Sequence, residues 1–164
     1  MKGKFALITG GNSGIGLATA KQFAKEGAYV YITGRREREL TAAVQEIGRD
    51  VTGIQGDVSN PSDLDRVLAQ IEREKSRLDI VFANAGAAAS VRFGEITEEH
   101  YDSIFNIDVK GLHFTVQKAL PLLPDGAFII LNSSIVASKG LSKISVYSAT
   151  KAAVRSFGGC PGVC

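Results

Sequence analysis

The chain has 164 residues, a length that suits one domain with its own hydrophobic core and is too short for two domains of ordinary size. Hydrophobic residues make up 45% and charged residues 22%, a composition that is typical of a folded α/β protein and excludes a disordered chain. The formal net charge is +2 and the basic residues are interleaved with acidic ones, so neither a nucleic-acid-binding surface nor a polybasic membrane patch is predicted.

The stretch from Phe5 to Gly16 predicts a buried strand, a glycine-rich turn and a helix that begins near Gly14. Gly10 would let the chain reverse tightly, Gly14 would let the backbone approach a ligand, and Gly16 would let the helix lie close to the strand. The start of the helix would offer free N–H groups to a pyrophosphate. A plain turn remains the alternative for this stretch taken alone.

Strands and helices then alternate along the chain. Further strands are predicted at residues 28–33, 51–56, 78–83 and 127–132. Helices are predicted from Arg35, from Asn60 as the N-cap with Pro61 in the first helical position, from Thr97 through residue 119, and from about residue 145. This rhythm predicts an α/β fold: a Rossmann-type, doubly wound parallel sheet of about five strands in the order 3-2-1-4-5, with helices on both faces.

Polar residues and the glycine turn follow the predicted strands at their carboxyl ends. Arg35, Asp57, Asn84 and Ser134 come after the second, third, fourth and fifth strands. Ligands of doubly wound sheets bind at this edge, so we expect one crevice to hold the turn and all four residues.

Tyr147 and Lys151 are four residues apart on the last predicted helix, so both project from one face. An ammonium group beside a tyrosine hydroxyl favours the phenolate, which makes the tyrosine a usable general acid or base. Ser134 could then hydrogen-bond to a substrate oxygen. The alternative is a half-buried surface tyrosine and a solvated lysine, since this spacing is common.

Together, Thr9-Gly-x-x-x-Gly14-Ile-Gly16, Asp57-Val58, Asn84-Ala85-Gly86, Ser134 and Tyr147-x-x-x-Lys151 resemble the short-chain dehydrogenase/reductase family over residues 3 to about 157. The resemblance implies an NAD(P)-dependent oxidoreductase of carbonyl or alcohol substrates. Tyr147 would be the acid/base, Lys151 would support it and hold the nicotinamide ribose, and Ser134 would position the substrate oxygen. The residues expected at the cofactor are Gly10, Asn12, Ser13, Gly14, Ile15, Gly16, Arg35, Arg36, Asp57, Val58, Asn84, Ala85, Gly86, Tyr147 and Lys151.

The residues after the second strand favour NADP(H) over NAD(H). An NAD site usually places a carboxylate there, whereas this chain has Gly34 followed by Arg35 and Arg36. A guanidinium can bind the 2′-phosphate through two hydrogen bonds. NAD(H) remains the alternative, because exposed arginines at the start of a helix are often only solvated.

One departure from the family lies in the predicted long helix. Asp108 stands where family members carry a catalytic asparagine, three residues before Gly111. A carboxylate could still hold a proton-relay water, but its charge would oppose a tyrosinate nearby. Asp108 is therefore counted among the catalytic residues, with altered activity expected.

The other departure is the segment 158–164, which holds Cys160, Cys164, a proline and three glycines. We expect a cofactor-binding domain over 1–157 and an atypical tail over 158–164. The family would continue through a sixth strand, a substrate loop and a seventh strand, so we expect a C-terminally truncated domain whose fifth strand is an exposed edge. A truncated gene product, a frameshift and an incomplete gene model all stay open as origins. Two isolated cysteines predict neither a metal site nor a disulfide.

Two functions therefore follow from the sequence. The chain is expected to be an NADP(H)-preferring oxidoreductase; the alternative is a catalytically silent dinucleotide-binding fragment or an interaction module that binds through its exposed edge. The 97–119 helix resembles the one that pairs subunits in family tetramers, so a homo-oligomer is expected through it. No apolar run approaches the ~20 residues of a membrane span and no signal sequence is recognisable, so we expect a cytoplasmic protein.

Overall fold

A five-stranded parallel sheet organises the computed structural model, which describes residues 1–159. The strands lie in the order β3-β2-β1-β4-β5, and all four neighbouring pairs are parallel. The predicted fold class and strand order are therefore confirmed. The strands are β1 (Phe5–Ile8), β2 (Tyr29–Gly34), β3 (Val51–Gln55), β4 (Ile80–Ala83) and β5 (Phe128–Leu131).

Six α-helices connect or follow these strands within residues 1–159. They are α1 (Gly14–Lys25), α2 (Glu37–Ile47), α3 (Pro61–Lys75), α4 (Glu98–Phe105), α5 (Leu112–Ala119) and α6 (Ser145–Gly158). Asn60 caps α3 as predicted, because its side chain accepts from the N–H of Ser62 and Pro61 occupies the first turn. Short 3₁₀ turns lie at Phe93–Glu95, Leu120–Leu122 and Ile135–Ala137.

The sheet is covered by helices on both faces, and alternate side chains of each strand enter different cores. On one face, Leu7, Tyr31 and Val81 pack with α3 and the end of α5. On the other face, Ile8, Ile32 and Phe82 pack with α1 and α2. A third cluster joins β4 and β5 to α5 and α6.

The single long helix predicted from Thr97 is wrong in one respect. A π-helical segment at Asn106–Gly111 separates α4 from α5. Asp108 and Gly111 are both buried in this segment, and a Cβ on Gly111 would lie 2.9 Å from the carbonyl oxygen of Val58. The wider turn directs both residues inward, and π-helical turns are frequent at functional sites. The helix predicted from Arg35 also starts later, at Glu37, with Arg36 as its N-cap.

The outer strand β5 carries apolar side chains on a face that α1 and α2 do not cover. Phe128 is 68% exposed and Ile130 is 41% exposed, although both belong to the sheet. Within residues 1–159 β5 pairs only with β4, so it is the edge that the sequence predicts. The tail residues 160–164, with Cys160 and Cys164, lie outside the described residues. No helix in the described part of the chain is both long and apolar enough to cross a membrane.

Asp79 joins β1, β4 and β5 at the edge of the sheet where these strands begin. Its backbone donates to Phe5 and accepts from Phe128, while its carboxylate accepts from the N–H of Phe5 at 2.9 Å and from Lys4 Nζ at 2.9 Å. Arg77 Nη2 lies 3.1 Å from Asp79 Oδ1. Burial raises the pKa of Asp79, but the hydrogen bonds from Phe5 and Lys4 and the charge of Arg77 outweigh it and hold the pKa below its usual range.

We predict that Asp79→Asn lowers the free energy of unfolding at pH 7 by about 1–3 kcal/mol, because the amide loses the charged interactions. A carboxyl whose pKa is depressed by folding contributes stability that is complete above its ordinary pKa of about 4 and is lost as the pH falls through the lower folded value. Urea unfolding from pH 7 to pH 3 should therefore show the two proteins converging below about pH 4. Asp125→Asn, at an exposed position, is the matched control. A difference in the free energy of unfolding between the wild type and Asp79→Asn that stays constant with pH would contradict the prediction.

Candidate functional site

A cavity of about 380 Å³ opens at the carboxyl ends of the first four strands. It brings together most of the residues that the sequence predicts for a cofactor, together with four that are not in that predicted set, Thr33, Gly34, Gly56 and Ile107. Thr33 and Gly56 lie at strand ends, so the rule that selected Asp57 could have found them, whereas no sequence signal points to Ile107. The cavity is lined by Gly10, Asn12, Ser13, Thr33, Gly34, Arg35, Arg36, Gly56, Asp57, Val58, Asn84, Ala85, Gly86 and Ile107.

The glycine turn forms one wall of the cavity. Gly10 has a φ of +65°, and a Cβ there would lie 3.0 Å from Ala85 Cα. A Cβ on Gly16 would lie 2.3 Å from the carbonyl oxygen of Gly10, so only glycine lets α1 start this close to the turn. Gly14 has a φ of +54° and faces open space. Gly14, Ile15 and Gly16 begin α1 beside the cavity without lining it.

Asn84 ties the end of β4 to the glycine turn. Its Nδ2 donates to the carbonyl oxygens of Thr9 at 3.0 Å and Gly10 at 3.3 Å. Thr9 Oγ1 in turn accepts from the N–H groups of Asn84 and Ala85, at 3.0 and 3.1 Å. The amide therefore acts as a structural bridge as well as a cavity wall.

The opposite end of the cavity is basic. Arg35 and Arg36 have side chains that are 61% and 67% exposed. Arg35 Nη1 lies 3.9 Å from Asp57 Oδ2, and Arg36 Nε lies 3.4 Å from Glu39 Oε1. Among the residues that the structure describes, the carboxylates paired with these guanidinium groups are half-exposed, an arrangement that leaves the arginines able to take another anion.

The turn that carries Asp57 and Val58 is fixed by Asp63 on α3. The N–H of Asp57 donates to Asp63 Oδ2 at 2.9 Å, and Arg66 donates to Oδ1 at 2.9 Å. The Asp57 N–H and the Arg66 guanidinium hold the pKa of Asp63 below its usual range, despite an opposing effect of burial. The ionised Asp63 thus keeps Asp57 at the cavity.

A second group of predicted residues lies outside the cavity, around Lys151. Lys151 is buried and its Nζ donates to the carbonyl oxygen of Asn132 at 3.0 Å. The same Nζ lies 3.2 Å from Asp108 Oδ2, with both side chains almost fully buried. Asp108 Oδ1 accepts from the N–H of Ala87 at 2.7 Å. The ion pair therefore joins α6, the π-helical segment and the loop after β4.

Tyr147 and Ser134 lie at the edge of this second group and are only partly buried. Lys151 Nζ is 5.4 Å from the centroid of the Tyr147 ring. Ser134 Oγ accepts a long hydrogen bond of 3.4 Å from the N–H of Val136, which leaves its O–H free to donate. Ser133, the neighbour of Ser134, donates to the carbonyl oxygen of Lys151 at 2.9 Å, so the segment after β5 contacts the helix that carries the phenol and the ammonium. A hydroxyl donor, a phenol and an ammonium are the groups that general acid/base chemistry uses.

The expectation of one crevice for all the strand ends needs correction. Gly10, Arg35, Asp57 and Asn84 line the cavity, whereas Ser134 does not. Two asparagines connect the two groups, because Asn132 Nδ2 donates to Asn84 Oδ1 at 2.9 Å. The Lys151 side chain is held by Asn132 and Asp108, and its Nζ lies 3.5 Å from the position that a Cβ on the cavity-lining Gly86 would take.

Known proteins resemble this chain along almost its whole length. A family model described as short chain dehydrogenase matches residues 4–160. "Oxidoreductase asL5" of Sarocladium schorii is 46% identical over 96% of the chain and 64% of that protein. "Hydroxynaphthalene reductase arp2" of Aspergillus fumigatus is 33% identical over 98% of the chain and 60% of that protein.

A solved structure shows the same fold. The 3-ketoacyl-(acyl-carrier-protein) reductase of Brucella melitensis, complexed with NADH, superimposes with a TM-score of 0.91 at 29% identity. The match covers 95% of this chain and 67% of that one. The chain spans 60 to 64% of the length of the two curated relatives.

Proposed function

The chain belongs to the short-chain dehydrogenase family, and from this premise we propose that it is an oxidoreductase that prefers NADP(H) and exchanges hydride with a carbonyl or alcohol carbon. The observation that carries the proposal is the cavity at the strand ends, which has a glycine turn on one side and Arg35 and Arg36 on the other. NAD(H) is the alternative cofactor. We propose that residues 1–157 form the cofactor-binding unit and that the protein is located in the cytoplasm.

The cavity fits a nicotinamide dinucleotide. Gly14 faces open space at the start of α1, where the free N–H groups of the first turn favour a pyrophosphate. We assign the adenine contact to Asp57 and Val58, which line the cavity together with Asn84, Ala85 and Gly86. A bound nicotinamide supplies or accepts the hydride. The NADH complex of the Brucella melitensis reductase supports this use of the shared fold.

The preference for NADP(H) rests on the charges after β2. Gly34 ends the strand where NAD-binding sites usually place a carboxylate, and Arg35 and Arg36 follow it. The nearest carboxylates in the cavity region are Asp57 and Glu39, which already balance the two guanidinium groups. A 2′-phosphate would compete with these carboxylates for the arginines and carry more charge than either.

We predict that Arg35→Ala and Arg36→Ala each raise the Kd for NADPH by about 10- to 100-fold, the loss expected for a charged hydrogen bond. The Kd for NADH should change much less, because NADH has no 2′-phosphate. Nucleotide fluorescence titrations measure both constants. Arg38→Ala is the matched control, since Arg38 is an exposed arginine of α2 that does not line the cavity. Equal weakening of NADPH and NADH would contradict the phosphate contact.

The residues near Lys151 supply the proton chemistry. The Tyr147 hydroxyl gives a proton to the substrate oxygen during reduction and takes one during oxidation, while the free O–H of Ser134 holds that oxygen. Lys151 places a positive charge near the phenol ring, with its Nζ 5.4 Å from the ring centroid.

We predict that Tyr147→Phe lowers turnover by about 10²- to 10⁴-fold, the usual contribution of a general acid or base. The Kd for NADPH should change far less than turnover. Loss of the absorbance of the reduced nicotinamide, with a panel of aliphatic and hydroxynaphthalene-type ketones, measures the rate. Tyr101→Phe, at an exposed tyrosine of α4, is the control, and full activity of the Tyr147→Phe variant would exclude Tyr147 as the proton donor.

Asp108 weakens this apparatus electrostatically. Its carboxylate lies 3.2 Å from Lys151 Nζ, so the ammonium charge is balanced before it can act on Tyr147. An asparagine oxygen could still accept from the N–H of Ala87 and would leave the loop in place.

We predict that Asp108→Asn raises turnover severalfold, because the carboxylate that balances the Lys151 ammonium is removed. The Kd for NADPH should change much less than turnover. The ketone assay and the nucleotide titration measure the two quantities. Asp102→Asn, on the exposed side of α4, is the control. Unchanged turnover would count against any role of Asp108 in the reaction.

The alternative function is a catalytically silent dinucleotide-binding fragment or an interaction module. The exposed side chains of Phe128 and Ile130 on the edge strand favour it. NADPH binding without turnover of any ketone would support this alternative. We also propose that subunits pair through residues 97–119, where Tyr101 is exposed and stacks on Phe105; the elution volume on size exclusion tests the pairing.

A further inference from the structure

We propose that Asn132 is a positioning residue that couples the glycine turn to Lys151. The proposal rests on the proposed function, because it assigns Lys151 and the turn to one dinucleotide site. Asn132 directly follows β5, and its N–H donates to the carbonyl oxygen of Ala83 at 3.2 Å. This one backbone bond links Asn132 to the end of β4, and its side chain and its carbonyl oxygen contact other elements.

The side chain of Asn132 has a defined partner. Asn84 Nδ2 donates to two carbonyl oxygens, of Thr9 and Gly10, and this fixes the orientation of the Asn84 amide. Asn84 Oδ1 must then face Asn132, and only a donor can pair with it. Asn132 Nδ2 is that donor, at 2.9 Å. A side chain without a donor would leave Asn84 Oδ1 without a hydrogen-bond partner, which costs free energy. The Asn84 amide could rotate to find another partner, but it would then lose its hydrogen bonds to the glycine turn.

The carbonyl oxygen of Asn132 acts on the other group. It accepts from Lys151 Nζ at 3.0 Å, and the Asp108 carboxylate holds the same ammonium from another side at 3.2 Å. The next residue adds a second link, because Ser133 Oγ donates to the carbonyl oxygen of Lys151 at 2.9 Å. Lys151 is therefore located by the end of β5 at both its side chain and its backbone.

These contacts form one chain from Gly10 through Asn84 and Asn132 to Lys151. Gly10 borders the place proposed for the pyrophosphate, and Lys151 lies on the side proposed for the nicotinamide ribose. Asn132 lies just beyond β5, so loss of its side-chain bond to Asn84 should let the residue shift together with the carbonyl oxygen that holds Lys151. Both the glycine turn and Lys151 should then be held less firmly, whereas Arg35 at the basic end of the cavity should be unaffected. Substitution of Asn132 should therefore change the affinity for a dinucleotide and leave the affinity for an adenosine phosphate unchanged.

The test uses Asn132→Leu and Asn132→Asp, which are close to asparagine in shape and lack the amide donor. Both should raise the Kd for NADPH by about 2- to 12-fold, the range expected for one lost hydrogen bond. The Kd for adenosine 2′,5′-bisphosphate should stay unchanged, because this probe lacks the pyrophosphate and the nicotinamide. Ser138→Ala is the matched control, since Ser138 is exposed and bonds only to Ile135 in its own turn.

A second readout needs no ligand. Acetylation followed by mass spectrometry should show Lys151, which is 2% exposed in the native chain, reacting severalfold faster in both variants. Lys21 and Lys118 serve as internal references and should react as before. The proposal requires both the selective loss of NADPH affinity and the selective exposure of Lys151.

Either change without the other would overturn the proposal. Equal weakening of both nucleotides, or faster reaction of all lysines, would also overturn it, because that result indicates a general loss of structure. If the wild-type chain binds neither NADPH nor NADH, the proposed function fails, and the reactivity of Lys151 alone decides whether Asn132 positions it.

Discussion

The hydrogen bonds of Asn84 are the constraint on which the site depends. One amide holds the carbonyl oxygens of Thr9 and Gly10 and meets Asn132, so the ends of β1, β4 and β5 are locked at a single point. Asn84 lies so close to the glycine turn that a Cβ on Gly16 would be 2.6 Å from Asn84 Nδ2. The glycines of the turn thus serve the protein's own packing as much as ligand approach, since a Cβ on Gly16 would clash with the carbonyl oxygen of Gly10 and with this amide.

A buried ion pair forms the second fixed point. Asp108 and Lys151 are removed from water together, and each keeps a backbone partner, Ala87 N–H and the Asn132 carbonyl oxygen. Such a pair defines geometry more than it adds stability, because desolvation offsets most of the attraction. The π-helical turn makes it feasible by directing Asp108 inward. The Asp108 carboxylate holds Lys151 in place, and the same carboxylate limits the effect of the Lys151 ammonium on Tyr147.

The two halves of the sheet differ in how completely they are covered. β1, β2 and β4 are buried by helices on both faces, whereas Phe128 and Ile130 of β5 are exposed on one face. The basic cavity lies at the covered half, and Ser134 and Tyr147 lie next to the uncovered strand. The chain spans 60 to 64% of the length of the two curated relatives.

The sequence by itself determined the sheet order, the glycine turn, the cap at Asn60 and most of the cavity lining, because these features depend on local patterns and on the rule that parallel strands end at one edge. Only the tertiary structure decided that Asp108 pairs with Lys151, that the long helix is interrupted at Asn106–Gly111, and that Asn132 joins the two groups. These contacts link residues 19 to 48 positions apart in the chain. Their partners are chosen by how the elements pack, and no local pattern records that choice.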